Sequence, residues 1–216
     1  MLSLDQIDIT PILSKSKEYE ILVAKYDPAY NDIISILEIV KEFIIKHDLI
    51  IYGGTALDMA LRLCGDKLYP DDLPADLDFY SHENIEHAYQ IADILFSLGY
   101  VDTRVIMAAH IHTMRVDVNI DHYIADLSYQ PKEVFDIIST LRYQNMRIVH
   151  PFYQRIDQHS ALSFPYDNPP KEVIFARWKN DVKRLNLAAK YYPAPAEVID
   201  AKPKQLHRAT YPLMDK

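Results

Sequence analysis

The chain has 216 residues, a formal net charge of −8, 49% hydrophobic and 25% charged residues, the profile of a globular protein large enough to bury a core. No apolar run is long enough to span a bilayer, and the acidic stretch after Met1 lacks the basic start of a secretory leader. The single cysteine, Cys64, excludes an internal disulfide and fits a reducing compartment; its apolar helical surroundings predict a small buried hydrophobe.

Charge is unevenly spread. Residues 1–141 carry 10 Lys and Arg against 24 Asp and Glu, whereas residues 142–190 carry 9 against 4. An acidic part that holds cations beside a basic part that meets a polyanion has this asymmetry, and so do two ordinary solvated surfaces.

Apolar spacing over Asn31–His47 predicts a helix. Asp48–Tyr52 predicts a short buried strand ending at Gly53-Gly54, and Thr55–Leu63 a second helix. A turn-rich insert, residues 65–74, leads into a strand at Ala75–Tyr80. Ser81 is placed to cap a helix over Glu83–Leu98, with Gly99 as its stop. Three strands are expected next, at Val101–Ala108, Thr113–Asn119 and His122–Tyr129, with Ile120-Asp121 turning between the last two. A helix is expected over Glu133–Tyr143, then a Pro- and Tyr-rich loop over Pro151–Pro170. A last helix is expected over Glu172–Tyr191, with Val173, Ile174, Trp178, Val182 and Leu185 buried. The order predicts an α+β fold, a mixed sheet flanked by helices, without continuous βα alternation. Neither GxGxxG nor GxxxxGK[ST] occurs.

Two features carry chemistry. In Tyr52-Gly53-Gly54-Thr55-Ala56-Leu57, glycines leave backbone NH groups open at a helix start, an arrangement that suits a phosphate. Thr55 adds a hydroxyl donor and a cap. In Asp76-Leu77-Asp78-Phe79-Tyr80, alternation on a strand sends both carboxylates to one side. Such a pair is costly without a cation, and hard divalent ions prefer carboxylates plus phosphate oxygens. Asp126 interrupts an apolar strand and is the candidate third carboxylate. Asp117, which alternates with Arg115 and Asn119 in the pattern of a solvated face, is the second choice. His110, His112 and His122 have no spacing that builds a zinc site.

Gly53-Gly54-Thr55, Asp76-Leu77-Asp78 and a later strand aspartate resemble the signature of the DNA polymerase beta-type nucleotidyltransferases. The segment Ala161–Pro170, then Arg177–Arg184 and Tyr191-Tyr192-Pro193, resembles the poly(A) polymerase catalytic subunits of large cytoplasmic DNA viruses. The resemblance implies transfer of AMP from ATP to an RNA 3′ end with two Mg²⁺ (or Mn²⁺) ions. It makes Asp76, Asp78 and Asp126 the metal-ligating catalytic residues, and Gly53, Gly54 and Thr55 the triphosphate site. Lys179 and Lys183, one turn apart on the last helix, are candidate phosphate contacts. Tyr166, Trp178, Tyr191 and Tyr192 are candidate base-stacking residues.

The same resemblance implies a cytoplasmic setting, in a viral factory or virion, and no membrane partner. Those subunits are longer, so a processivity subunit or a further C-terminal region is an expected partner. The segments expected are an N-terminal extension (1–30), a catalytic domain (31–145), a loop and basic helix opening a second helical region (146–193), and an irregular tail (194–216). Two other readings fit the motifs: a toxin-like abortive-infection nucleotidyltransferase, and a non-catalytic truncated subunit that binds RNA or a partner.

Overall fold

The computed structural model describes residues 29–71, 75–108, 110–118, 122–154 and 174–193. The chain divides into two units, one ending at His150 and the other starting at Pro151. In the first unit, α1 (Tyr30–Lys46) is followed by β1 (Ile50–Ile51), α2 (Gly53–Leu63), β2 (Leu77–Ser81) and α3 (Asn84–Ser97). Then come β3 (Thr103–Met107), β4 (Thr113–Val118), β5 (His122–Tyr129), α4 (Lys132–Phe135), β6 (Thr140–Tyr143) and β7 (Met146–Val149). The second unit contributes α5 (Ile174–Tyr191). The extension 1–28, the Ala161–Pro170 segment, Tyr166, the Ile120-Asp121 turn and the 194–216 tail lie outside the described residues.

Seven strands form one mixed sheet in the order β3-β4-β5-β2-β1-β7-β6. β2 and β5 run parallel, as do β1 and β7; the other neighbours are antiparallel. Parallel neighbours need a crossover, and between β2 and β5 the chain makes it through α3 and the β3–β4 hairpin. α1 and α3 share one face of the sheet. Phe43 stacks on His47 at 4.2 Å, and both rings meet His87 of α3 edge-on. Ile36, Val40 and Ile44 of α1, Ile91 and Leu95 of α3, and Leu77, Phe79, Val116, Ile124 and Leu127 of the sheet are fully buried or nearly so. Each such side chain contributes about 1.5–3 kcal/mol by leaving water.

Several expectations shift. Residues 133–143 are not one helix. A single turn, α4, ends at Phe135, and the chain then forms the β6–β7 hairpin around Gln144 and Asn145, both at positive φ (46° and 67°). Two consecutive left-handed residues make the turn whose twist matches a hairpin, and asparagine tolerates it. β7 pairs with β1, so the sheet runs four residues past 145. Ser81 is the last residue of β2 rather than a helix cap. Its hydroxyl accepts the Glu83 NH (2.9 Å) and meets His87 Nδ1 (2.7 Å), so it still organises the start of α3. Gly99 ends α3 at φ 98°, as a left-handed stop does. Cys64 is exposed, because α2 ends there and the chain turns at Gly65.

The insert after α2 is shaped by charge. Asp58 of α2 is buried and accepts the backbone NH groups of Leu68 (2.6 Å) and Tyr69 (2.8 Å) and the Arg62 Nε (2.6 Å). Arg62 and Lys67 both hold Asp71. Lys67 first, and then Arg62, pull that carboxyl down to about 2.

Candidate active site

β1 ends at Ile51, and the next three residues set the site. Tyr52 is extended (φ −127°, ψ −168°) and its NH donates to the Asp78 carbonyl at 2.8 Å. Gly53 then takes φ +74°, where a Cβ would lie 2.5 Å from Asp78 Oδ2. Only glycine permits that turn and that approach together. α2 starts at once, so its first turn begins beside the Asp78 carboxylate. Tyr52, not Thr55, is the N-cap residue, and no side chain caps the helix. Thr55 instead donates its hydroxyl to the Asp76 carbonyl at 2.9 Å, tying the first turn of α2 to the residue that precedes β2.

Asp78 and Asp126 are register partners on the parallel pair β2–β5. Their side chains therefore emerge side by side on one sheet face, with backbones about 4.8 Å apart. Asp76 precedes β2 and shares the Asp78 alternation. The phenol of Tyr52 senses all three acids. Burial raises its pKa well above the usual tyrosine value, and the charges of Asp78, Asp126 and Asp76 add to the rise, against a Ser128 hydrogen bond. That phenol is fixed from two sides: its ring stacks on Tyr80 at 4.2 Å and 11°, and its oxygen lies 2.7 Å from Ser128 Oγ. Ser128 Oγ in turn lies 2.8 Å from Thr113 Oγ1.

Asp126 is 9% exposed and has a counter-charge within the protein. Arg115, its register partner on β4, reaches it with a two-pronged fork, Nε to Oδ1 and Nη2 to Oδ2, both 2.7 Å. Among the described residues no three carboxylate, imidazole or thiol groups stand as a ready metal cluster. The fork engages both Asp126 oxygens. The donor set is otherwise all oxygen and suits a hard cation.

Asp117 is not a solvated strand residue. It is 5% exposed, a register shift beside it breaks the β4–β5 ladder, and Arg104 of β3 contacts it at 3.2 Å. It stands apart from the Asp78–Asp126 pair, whose β4 neighbour is Arg115. His110 and His112 are exposed; the side chain of His122 lies outside the described residues. Lys179 and Lys183 lie on α5 in the second unit, where Lys183 is exposed and Arg184 pairs with Asp181 at 3.2 Å. The side chains of Lys179 and Trp178 lie outside the described residues. Val182 and Leu185, expected to be buried, are half-buried, and Ala188 is buried.

Sequence reasoning named Gly53, Gly54, Thr55, Asp76, Asp78 and Asp126; the structure sets Asp78 beside Asp126, Gly53 against Asp78 and Thr55 against Asp76. The same reasoning missed Arg115, Tyr52, Tyr80 and Ser128. Arg115 is visible only once β4 and β5 are set in register; alternation alone grouped it with Asp117 and Asn119.

The model of the poly(A) polymerase catalytic subunit family matches residues 38–168. The chain belongs to that family. The match spans β1, α2, β2, β4 and β5, which carry the glycine turn and the aspartates, and ends at residue 168, before α5. Relatives from African swine fever virus that carry the name of poly(A) polymerase catalytic subunit are 46% identical over 178 residues, covering 82% of this chain and 37% of theirs (isolate Tick/Malawi/Lil 20-1/1983). A relative of the same name from Acanthamoeba polyphaga mimivirus is 29% identical over 169 residues, 77% of this chain and 28% of its own. The Megavirus polyadenylate synthase crystal structure superposes with a TM-score of 0.75 at 26% identity, over 90% of this chain and 39% of that one. The fold is thus the α+β nucleotidyltransferase fold. The chain spans a little over a third of the length of the African swine fever virus relatives.

Proposed function

We propose that this chain carries the catalytic site of a template-independent nucleotidyltransferase that adds AMP from ATP to RNA 3′ ends. The observation that carries the reading is the register of Asp78 with Asp126 beside a glycine turn that only glycine fits, in a chain of this family. Asp76, Asp78 and Asp126 would hold two Mg²⁺ or Mn²⁺ ions. When bound, such ions supply charge neutralisation at the phosphates and a more acidic 3′ hydroxyl.

The protein's own part is positioning. Gly53, Gly54, Thr55 and the start of α2 would form the triphosphate cradle, with the positive end of the helix dipole toward the phosphates. The Tyr52–Asp78 and Thr55–Asp76 hydrogen bonds fix that cradle against the carboxylates. Catalysis then rests on alignment and electrostatics, with the 3′ oxygen bonding to the α-phosphorus as pyrophosphate leaves. Lys179 and Lys183 are proposed phosphate contacts, and a processivity subunit or further chain of the kind the longer relatives possess is a proposed partner. We place the reaction in the cytoplasmic factory or virion of a large DNA virus, the kind of source the named relatives share. Among the described residues no helix is long and apolar enough to cross a membrane. The family match favours this reading over the toxin-like one.

The test incubates the 216-residue chain with a short 3′-hydroxyl RNA, Mg²⁺ or Mn²⁺, and each NTP separately. Extension with ATP supports the proposal. RNA binding without extension by any NTP supports a non-catalytic binding module instead.

A further inference from the structure

We propose that Arg115 is a cationic latch on the third carboxylate, holding Asp126 when no metal is bound and exchanging with the metal as it enters. This rests on the metal reading above.

Asp126 faces Asp78 across the β2–β5 ladder, so the site sets one acid beside another in a largely buried position. An unpaired carboxylate there is costly. The Arg115 fork meets that cost from β4, engaging both oxygens at 2.7 Å. The Asp126 side chain is 12% exposed and that of Arg115 is 27%, so the guanidinium reaches inward from the rim. A cation that takes Asp126 as a ligand competes with the fork for the same two oxygens, and a two-oxygen grip on the side the fork occupies displaces at least one prong. One positive group then replaces another, and the carboxylates never face each other uncompensated. The next acid on β4, Asp117, already has Arg104 at 3.2 Å, so each acid has its own arginine. Arg115 is a positioning residue in this scheme, since it acts on the reaction through Asp126.

Mn²⁺ binding to the nucleotide-free chain, followed by electron paramagnetic resonance, tests the latch. Arg115→Gln is expected to tighten Mn²⁺ binding about tenfold, the scale of one charge-assisted hydrogen bond. The gain must vanish in the Arg115→Gln/Asp126→Asn double variant, compared with Asp126→Asn alone. A gain that persists there reflects net charge and overturns the latch, as does an Arg115→Gln affinity within twofold of wild type. Thermal melts give a second measure. Arg115→Gln should melt below wild type without metal, and saturating Mn²⁺ should raise its midpoint by more than it raises wild type's; equal shifts overturn the latch. If Arg115→Gln does not fold, Arg115→Lys, which keeps the charge and loses the fork, should show a smaller gain with the same dependence on Asp126. Asp78→Asn separates the two claims. Mn²⁺ binding that ignores Asp78 and Asp126 alike defeats the metal reading itself. Binding that needs Asp78 but ignores Arg115 defeats only the latch.

Discussion

Gly53 combines a φ of +74° with a Cβ position 2.5 Å from Asp78 Oδ2. Gly53→Ala should therefore strain the backbone and push the carboxylate away from the helix start. The expected cost is about 1–3 kcal/mol in stability, read by denaturant unfolding, with nucleotidyl transfer reduced by more than folding loss explains. Tyr52→Phe keeps the stack on Tyr80 and loses the bond to Ser128 Oγ. It should cost about 1 kcal/mol and leave transfer measurable, whereas Tyr52→Ala should lose both stack and activity. Asp78→Asn should abolish metal-dependent transfer while the circular dichroism spectrum stays native. At this scale the two glycines and three acids were legible as candidates from their types and spacing. Arg115 and Tyr52 were not legible. Their roles depend on which strand lies beside which, and single-strand alternation does not state that.

Among the elements, His47 and His87, which meet where α1 and α3 pack, form a pH-sensitive seam. His87 is buried against Ser81, His47 and Phe43, and His82 lies edge-on to it. Burial, first, lowers the pKa of both His47 and His87. Lys46 adds to this for His47, and the other histidines add to it for His87, while Glu83, joined by Glu86 at His87, opposes it. The folded state thus binds fewer protons than the unfolded state below the ordinary histidine value of about 6.5. Stability contributed by these groups is present above that pH and declines as pH falls toward the depressed folded values. Thermal midpoints should drop from pH 7.5 to pH 5.5, and His87→Gln should flatten that drop while lowering the midpoint at pH 7.5.

Element legibility follows the same physics as residue legibility. α1, α3, β4 and β5 were read close to their observed bounds, since one apolar face fixes each. β6 was read as the end of a helix because Glu133–Tyr143 mixes helix formers with apolar residues at helical spacing, and β7 was not read at all. The deciding feature, two left-handed residues at Gln144 and Asn145, has no glycine to announce it.

For the molecule as a whole, β7 closes the account of the sheet. It sits between β1 and β6, and β1 leads straight into the glycine turn. A chain ended at residue 145 should lose that support and the β1 register, and appear unfolded by circular dichroism, unlike the intact chain. The mixed order of the sheet was anticipated only in kind. Parallel pairing of β2 with β5 is a long-range choice that local propensity does not encode, yet it is what sets Asp78 beside Asp126. The acidic first part fits a cation site, and the basic residues of 142–190 fit a polyanion. The chain also spans little more than a third of its African swine fever virus relatives. The most direct test is gel-resolved extension of a 3′-hydroxyl RNA by the 216-residue chain with Mg²⁺ or Mn²⁺ and one NTP at a time. Added adenylates are expected with ATP from wild type and none from Asp78→Asn. Equal extension by Asp78→Asn, or extension that needs no divalent ion, would contradict the proposed metal-dependent transfer.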